Sequence, residues 1–200
     1  MCAARQVVNP LRSRSLEAPP GLATRPTSDR LRETLFNVLA PRIKGAAFLD
    51  LYAGSGAVGM EALSRGAASV DFVEKAPAAL KVLRSNLERL GLTAGFHIHA
   101  AAVGATLRKM QAAPRPERYE VVFLDPPWDA TTEYAATLRL LGGAAACLLG
   151  DGALVIAEHR RKEHLCLLYT SGIGNKDFST QNMFHVEHIH SIGVVTMFTT

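Results

Sequence analysis

The chain has 200 residues, 48% of them hydrophobic and 20% charged, a balance that builds one globular domain and excludes a disordered chain. No apolar run reaches the roughly 18 residues of a membrane span, the basic amino terminus lacks a secretory apolar stretch, and three distant cysteines (Cys2, Cys147, Cys166) make no disulfide framework, so a reduced cytoplasmic protein is expected. The net charge of +4 is uneven: residues 1–45 hold eight Lys/Arg against three Asp/Glu, and residues 46–200 hold fourteen against fifteen, which suggests a basic arm for an anionic partner such as nucleic acid.

Residues 9–26 contain Asn9-Pro10, Pro19-Pro20-Gly21 and Arg25-Pro26. Each residue before a proline is pushed out of the helical region, so this stretch is loop or extended chain. A helix is expected from Thr27-Ser28-Asp29, whose oxygens cap free amides. Leu31, Leu35, Val38 and Leu39 would form its buried stripe, and Pro41 its end.

From Ala46 strands and helices alternate. The expected strands are residues 47–51, 69–74, 96–101, 120–125 and 153–158. The expected helices are 57–65, 76–90, 103–112 and 131–149, with Gly66 and Gly91 closing the first two. This order implies an α/β fold with a parallel sheet and helices on both faces. Ligands in such sheets bind beyond the carboxyl ends of the strands, where strand order switches.

Two loops carry the chemistry. The first is Asp50-Leu51-Tyr52-Ala53-Gly54-Ser55-Gly56, with Glu74 twenty residues after Gly54. Its glycines allow a tight turn and close approach of a ligand to the backbone, and Glu74 can accept both hydroxyl hydrogens of a ribose. Gly54-x-Gly56-x-x-Gly59 also fits a dinucleotide fingerprint, so this loop alone leaves a nicotinamide and an S-adenosylmethionine enzyme both open. The second is Asp125-Pro126-Pro127-Trp128 after an apolar strand. Its prolines remove two amide donors and leave carbonyls as acceptors. With the Asp125 carboxylate and the Trp128 face, the set suits a planar ring bearing an amino group, its nitrogen aimed at a nearby methyl sulfonium.

The segments RPTSDRLRETLFNVL, DLYAGSGAVGMEALSRGA, VDFVEKA and VVFLDPPW, over roughly residues 15–158, resemble the bacterial 16S ribosomal RNA guanine-N(2)-methyltransferase family. The Asp-Pro-Pro-aromatic motif alone is shared with adenine and cytosine amino-methyltransferases. The RPT segment joined to LSRGA is more specific.

The resemblance implies a Rossmann-like class I methyltransferase with a mainly parallel seven-stranded sheet at residues 46–200, preceded by a basic arm and helix at 1–45. It implies methyl transfer from S-adenosylmethionine to the 2-amino group of a guanine in 16S RNA or the assembling small subunit, by a monomer without metal. Asp50, Tyr52, Ala53, Gly54, Ser55, Gly56, Glu74, Lys75, Ala101 and Ala102 would bind the cofactor. Asp125, Pro126, Pro127 and Trp128 would hold the guanine. Arg12, Arg14, Arg25, Thr27, Arg30 and Arg32 would meet RNA. An amino-methyltransferase on DNA adenine is the alternative enzyme, and a non-catalytic RNA- or cofactor-binding remnant the alternative without activity.

Three features depart from the family. The usual amino-terminal glycines are missing from VVNPLRSRSLEAPPG. Ala100-Ala101-Ala102 stands where an acidic residue beside the adenine is expected. Residues 159–200 are atypical, with two antiparallel closing strands expected at His164–Tyr169 and Ile192–Phe198. Their histidines (159, 164, 185, 188, 190) follow no zinc spacing.

Overall fold

The computed structural model describes residues 26–127, 131–160, 184–189 and 192–199. Helix α1 (Pro26–Leu39) opens on a proline, whose missing amide costs nothing in the first turn. Its buried face is Leu35, Phe36 and Leu39, while Val38 is 45% exposed. The expected stripe through Val38 is therefore rotated. Phe36 lies about 100° round the helix from Leu35 and turns the apolar face away from Val38.

The alternation continues through β1 (Ala47–Leu51), α2 (Ala57–Ser64), β2 (Ser69–Val73), α3 (Pro77–Arg89), β3 (Phe96–His99), α4 (Val103–Gln111), β4 (Tyr119–Leu124), α5 (Thr131–Leu141) and β5 (Leu149–Arg160). Helix α5 stops eight residues before its expected end because Gly142 and Gly143 weaken it. A short 3-10 turn at Ala146–Leu148 then leads into β5.

Five strands pair in parallel in the order β3-β2-β1-β4-β5. The chain moves outward from β1 to β3 and returns to β4, so the switch in order lies between β1 and β4. The strands are buried almost without alternation because helices cover both faces. On one face Phe48, Val70, Phe72, Val121 and Phe123 pack with α1, α2 and α3. On the other Leu49, Leu51, Val122 and Leu124 pack with α4, α5 and the 3-10 turn. Helix α1 thus shares a core with the strands that follow it.

Strand β7 (Ile192–Thr199) joins the sheet beside β5, and β6 (Phe184–Ile189) lies outside β7. The expected two antiparallel closing strands are met in part: β6 and β7 are antiparallel to one another, but β7 runs parallel to β5, so only β6 opposes the direction of the sheet. Only positions 190 and 191 separate β6 from β7, too few for a crossover, so one of the two must oppose the rest. The other expected closing strand, His164–Tyr169, lies outside the described residues.

Candidate active site

The loop after β1 starts the site. Gly56 is the N-cap of α2, with φ of 77°, and has no side chain to satisfy the first-turn amides. Asp50, the fourth residue of β1, caps the helix in its place, its Oδ2 accepting the Gly59 amide at 2.9 Å. Asp50 is 2% exposed, so it sets the loop from below. Burial first, then the nearby Asp125 and Glu74 charges, push its carboxyl up to about 7, against the pull of the Gly59 amide.

Gly59 lets α2 lie on β2. A Cβ there would stand 2.7 Å from Val70 Cγ1 and closer still to the Phe72 ring. Gly59→Ala is expected to cost about 1–3 kcal/mol of stability. Urea unfolding should show a lower midpoint at an unchanged slope; an unchanged midpoint would overturn this packing role.

Tyr52 occupies the left-handed region with φ of 63°, unusual for a side chain of this size. Its hydroxyl shares a 2.8 Å hydrogen bond with Thr137 Oγ1 of α5. Lys75 Nζ donates to Glu133 Oε1 of the same helix at 2.8 Å. Two expected cofactor positions therefore tie the loops after β1 and β2 to α5. Asn86, fully buried on α3, donates from Nδ2 to the Ser55 carbonyl at 3.1 Å. Sequence reading missed Asn86; its one signal is a polar residue amid the apolar α3 stripe of Leu80, Leu83 and Leu87.

Glu74 follows β2. Its Oε2 accepts the Gly54 amide at 2.9 Å, and its Oε1 accepts the Lys75 and Ala76 amides at 2.8 and 2.7 Å. A carboxylate oxygen has two lone pairs, so Oε2 keeps one for a ligand hydroxyl. Gly54 has φ of 55°, and a Cβ there would meet only the Tyr52 carbonyl, at 3.9 Å. Backbone is thus open to close approach beside Glu74. Ala53 completes the turn by donating to the Val73 carbonyl at 3.0 Å.

Asp125 follows β4, next to β1 across the switch, and its amide reaches the Leu51 carbonyl at 3.5 Å. Pro126 is buried and Pro127 exposed. Leu124 pairs with Ala157 as the last pair of β4 and β5, and the residues that follow it, Asp125 and Glu158, lie close enough for the Asp125 charge to act on Glu158. Desolvation raises the Asp125 carboxyl to about 6. Desolvation and the Asp125 charge raise Glu158 to about 8. Glu158 is a second residue absent from the sequence-based set. Its only trace there was its position as the last expected residue of strand five.

Ala101 and Ala102 lie exposed after β3, and no carboxylate stands at 100–102. The last residue of β3, His99, is held 2.5 Å from Asp71 Oδ1 instead. Arg32 is half-buried and engaged in an interaction of its own. Thr27 and Arg30 lie on α1, with their side chains outside the described part. Arg12, Arg14, Arg25 and Trp128 lie outside the described residues. Among the described residues, no group of three or more His, Cys, Asp or Glu could hold a metal ion, and no helix is long and apolar enough to cross a membrane.

Residues 6–179 match the model of the family described as "Conserved hypothetical protein 95". The chain belongs to this family. It is 36% identical over 154 residues to a Bacillus subtilis member named "Putative rRNA methyltransferase YlbH", covering 77% of this chain and 81% of that protein. It is 42% identical over 117 residues to Ribosomal RNA small subunit methyltransferase D of Escherichia coli K12. That match spans 58% of this chain and 56% of the E. coli protein. The solved structure of a hypothetical protein from Thermus thermophilus superposes with a TM-score of 0.64 at 36% identity, over 78% of this chain and 85% of that one.

Proposed function

We propose that this chain transfers a methyl group from S-adenosylmethionine to the 2-amino group of a guanine in 16S ribosomal RNA. One observation carries the reading: the open glycine loop with Glu74 and the Asp125-Pro126-Pro127 turn meet at the carboxyl ends of β1, β2 and β4, at the switch in strand order. The names of two family relatives, both rRNA methyltransferases, support it. Strands β6 and β7 complete a seven-stranded class I sheet in this reading.

The residues present fit the cofactor. The open backbone at Gly54 and the free lone pair of Glu74 suit a ribose. S-adenosylmethionine supplies an electrophilic methyl on a sulfonium, which leaves as a thioether when the carbon–nitrogen bond forms. Glu74 would accept one ribose hydroxyl on the free lone pair of Oε2, with Tyr52, Ala53, Ser55, Gly56 and Lys75 shaping the loop. Ala101 and Ala102 would border the adenine.

Asp125 accepts one amino hydrogen of the guanine and turns the nitrogen lone pair toward the methyl. The amino group becomes acidic only as the new bond forms, and its proton leaves along that hydrogen bond. Positioning therefore supplies most of the rate. Pro126 and Pro127 keep competing amides away, and Trp128 stacks on the base. Arg12, Arg14, Arg25, Thr27, Arg30 and Arg32 grip the RNA. The protein acts in the cytoplasm as a monomer on the free RNA or the assembling small subunit.

The test is incubation with radiolabelled S-adenosylmethionine and small subunits or free 16S RNA from a strain lacking the modification. Digestion should place the label on the 2-amino group of one guanine. Label on adenine, label on DNA alone, or no transfer would overturn the reading.

A further inference from the structure

Glu158 has no part in the methyl transfer proposed so far. Its place in the sheet gives it one. Strand β4 pairs with β5 as far as Leu124–Ala157, and Asp125 and Glu158 are the residues that follow this last pair. Neighbouring strands lie about 4.8 Å apart, and the Asp125 charge acts on the Glu158 carboxyl, so the two side chains are neighbours. Both carboxyls are half-buried at the edge where the Asp125 turn begins. Among the described residues, no hydrogen-bond donor is bonded to either one.

We propose that Glu158 selects guanine by accepting the N1–H of the base whose 2-amino group Asp125 holds. This rests on the amino-group transfer proposed above and adds the residue that chooses the base. Guanine offers N1–H and its 2-amino group as adjacent donors on one edge. Adenine offers an amino donor beside a bare N1 acceptor. Two neighbouring carboxyls present adjacent acceptors, which matches the first pattern and leaves the second with acceptor facing acceptor.

The electrostatics set the pH at which this holds. Asp125 and Glu158 titrate as a pair, and with Glu158 raised to about 8 by burial and the Asp125 charge, its carboxyl carries a proton below that pH and accepts N1–H as the free carboxylate above it. A half-buried site built to receive N1–H rejects a base that lacks it, because the acceptor is then left unpaired. The 2-amino position alone cannot make this choice, since Asp125 accepts from any amino group.

The deciding experiment uses 16S RNA ligated from synthetic fragments, with guanine or 2,6-diaminopurine at the methylated position. Both bases carry the 2-amino group, but diaminopurine has an acceptor at N1. At pH 9, where Glu158 is ionised, the wild-type chain should methylate guanine with a kcat/KM about tenfold or more above that for diaminopurine, in line with one base-edge contact. Glu158→Gln can donate to that N1 and should bring the ratio close to one.

Equal use of both bases by the wild type, or an unchanged ratio in Glu158→Gln, would overturn the assignment. Each ratio is internal to one preparation, so a partly unfolded variant still reports it, and S-adenosylmethionine binding by calorimetry gives the folded fraction. A purely structural Glu158 would lower both rates together. If the wild type methylates diaminopurine or adenine but never guanine, the guanine reading itself falls, and this assignment with it.

Discussion

Asp125→Ala should lower methyl transfer about a thousandfold while changing S-adenosylmethionine binding by no more than about threefold. The reason is the separation of roles between strands. The glycine loop and Glu74 follow β1 and β2, whereas Asp125 follows β4. In the proposed mechanism, removing its carboxyl takes away the acceptor that would orient the amino group but leaves the Gly54–Glu74 bond untouched. Asp125→Asn keeps one acceptor oxygen and should retain more activity than the alanine variant. Single-turnover transfer and calorimetric binding, measured on the same preparations, separate the two effects. Equal loss of both would show that Asp125 shapes the cofactor site rather than holding the base.

The same carboxyl edge should make the folded chain less stable as pH rises from about 4 to about 8. Burial raises Asp50 from 3.8 to about 7, with Asp125 and Glu74 adding to the rise. Asp125 rises from 3.8 to about 6 and Glu158 from 4.5 to about 8, each mainly through desolvation. Across that window the folded state retains protons that the unfolded chain has already released. Stability is therefore fully present below the unfolded values and is lost as pH climbs through the folded ones.

One unit corresponds to about 1.4 kcal/mol, so Asp50 alone accounts for a change on the order of a few kcal/mol. Urea midpoints at pH 5 and pH 8.5 check this. The wild type should fall, and Asp50→Asn, which can still accept the Gly59 amide, should fall less. A midpoint that rises with pH would refute the buried placement of these groups.

Much of this protein was legible in the linear order. Apolar runs bounded by glycine and proline placed all five parallel strands within a few residues, because a strand covered on both faces needs a continuous apolar run. Gly54, Gly56 and Glu74 stand out because backbone geometry and a carboxylate at a strand end are local demands. Asp125-Pro126-Pro127 is legible for the same reason.

The tertiary structure decided what depends on which strands are neighbours. That Asp50 also caps α2 shows only in the fold, because the Gly56 cap has no side chain. Asn86 reaches Ser55 across 31 positions, and Tyr52 reaches Thr137 across 85. Glu158 meets Asp125 only through the β4–β5 register. Periodicity tells a residue which face it occupies, but not what lies beside it. That second fact follows from the order and register of the sheet, which long-range packing alone sets.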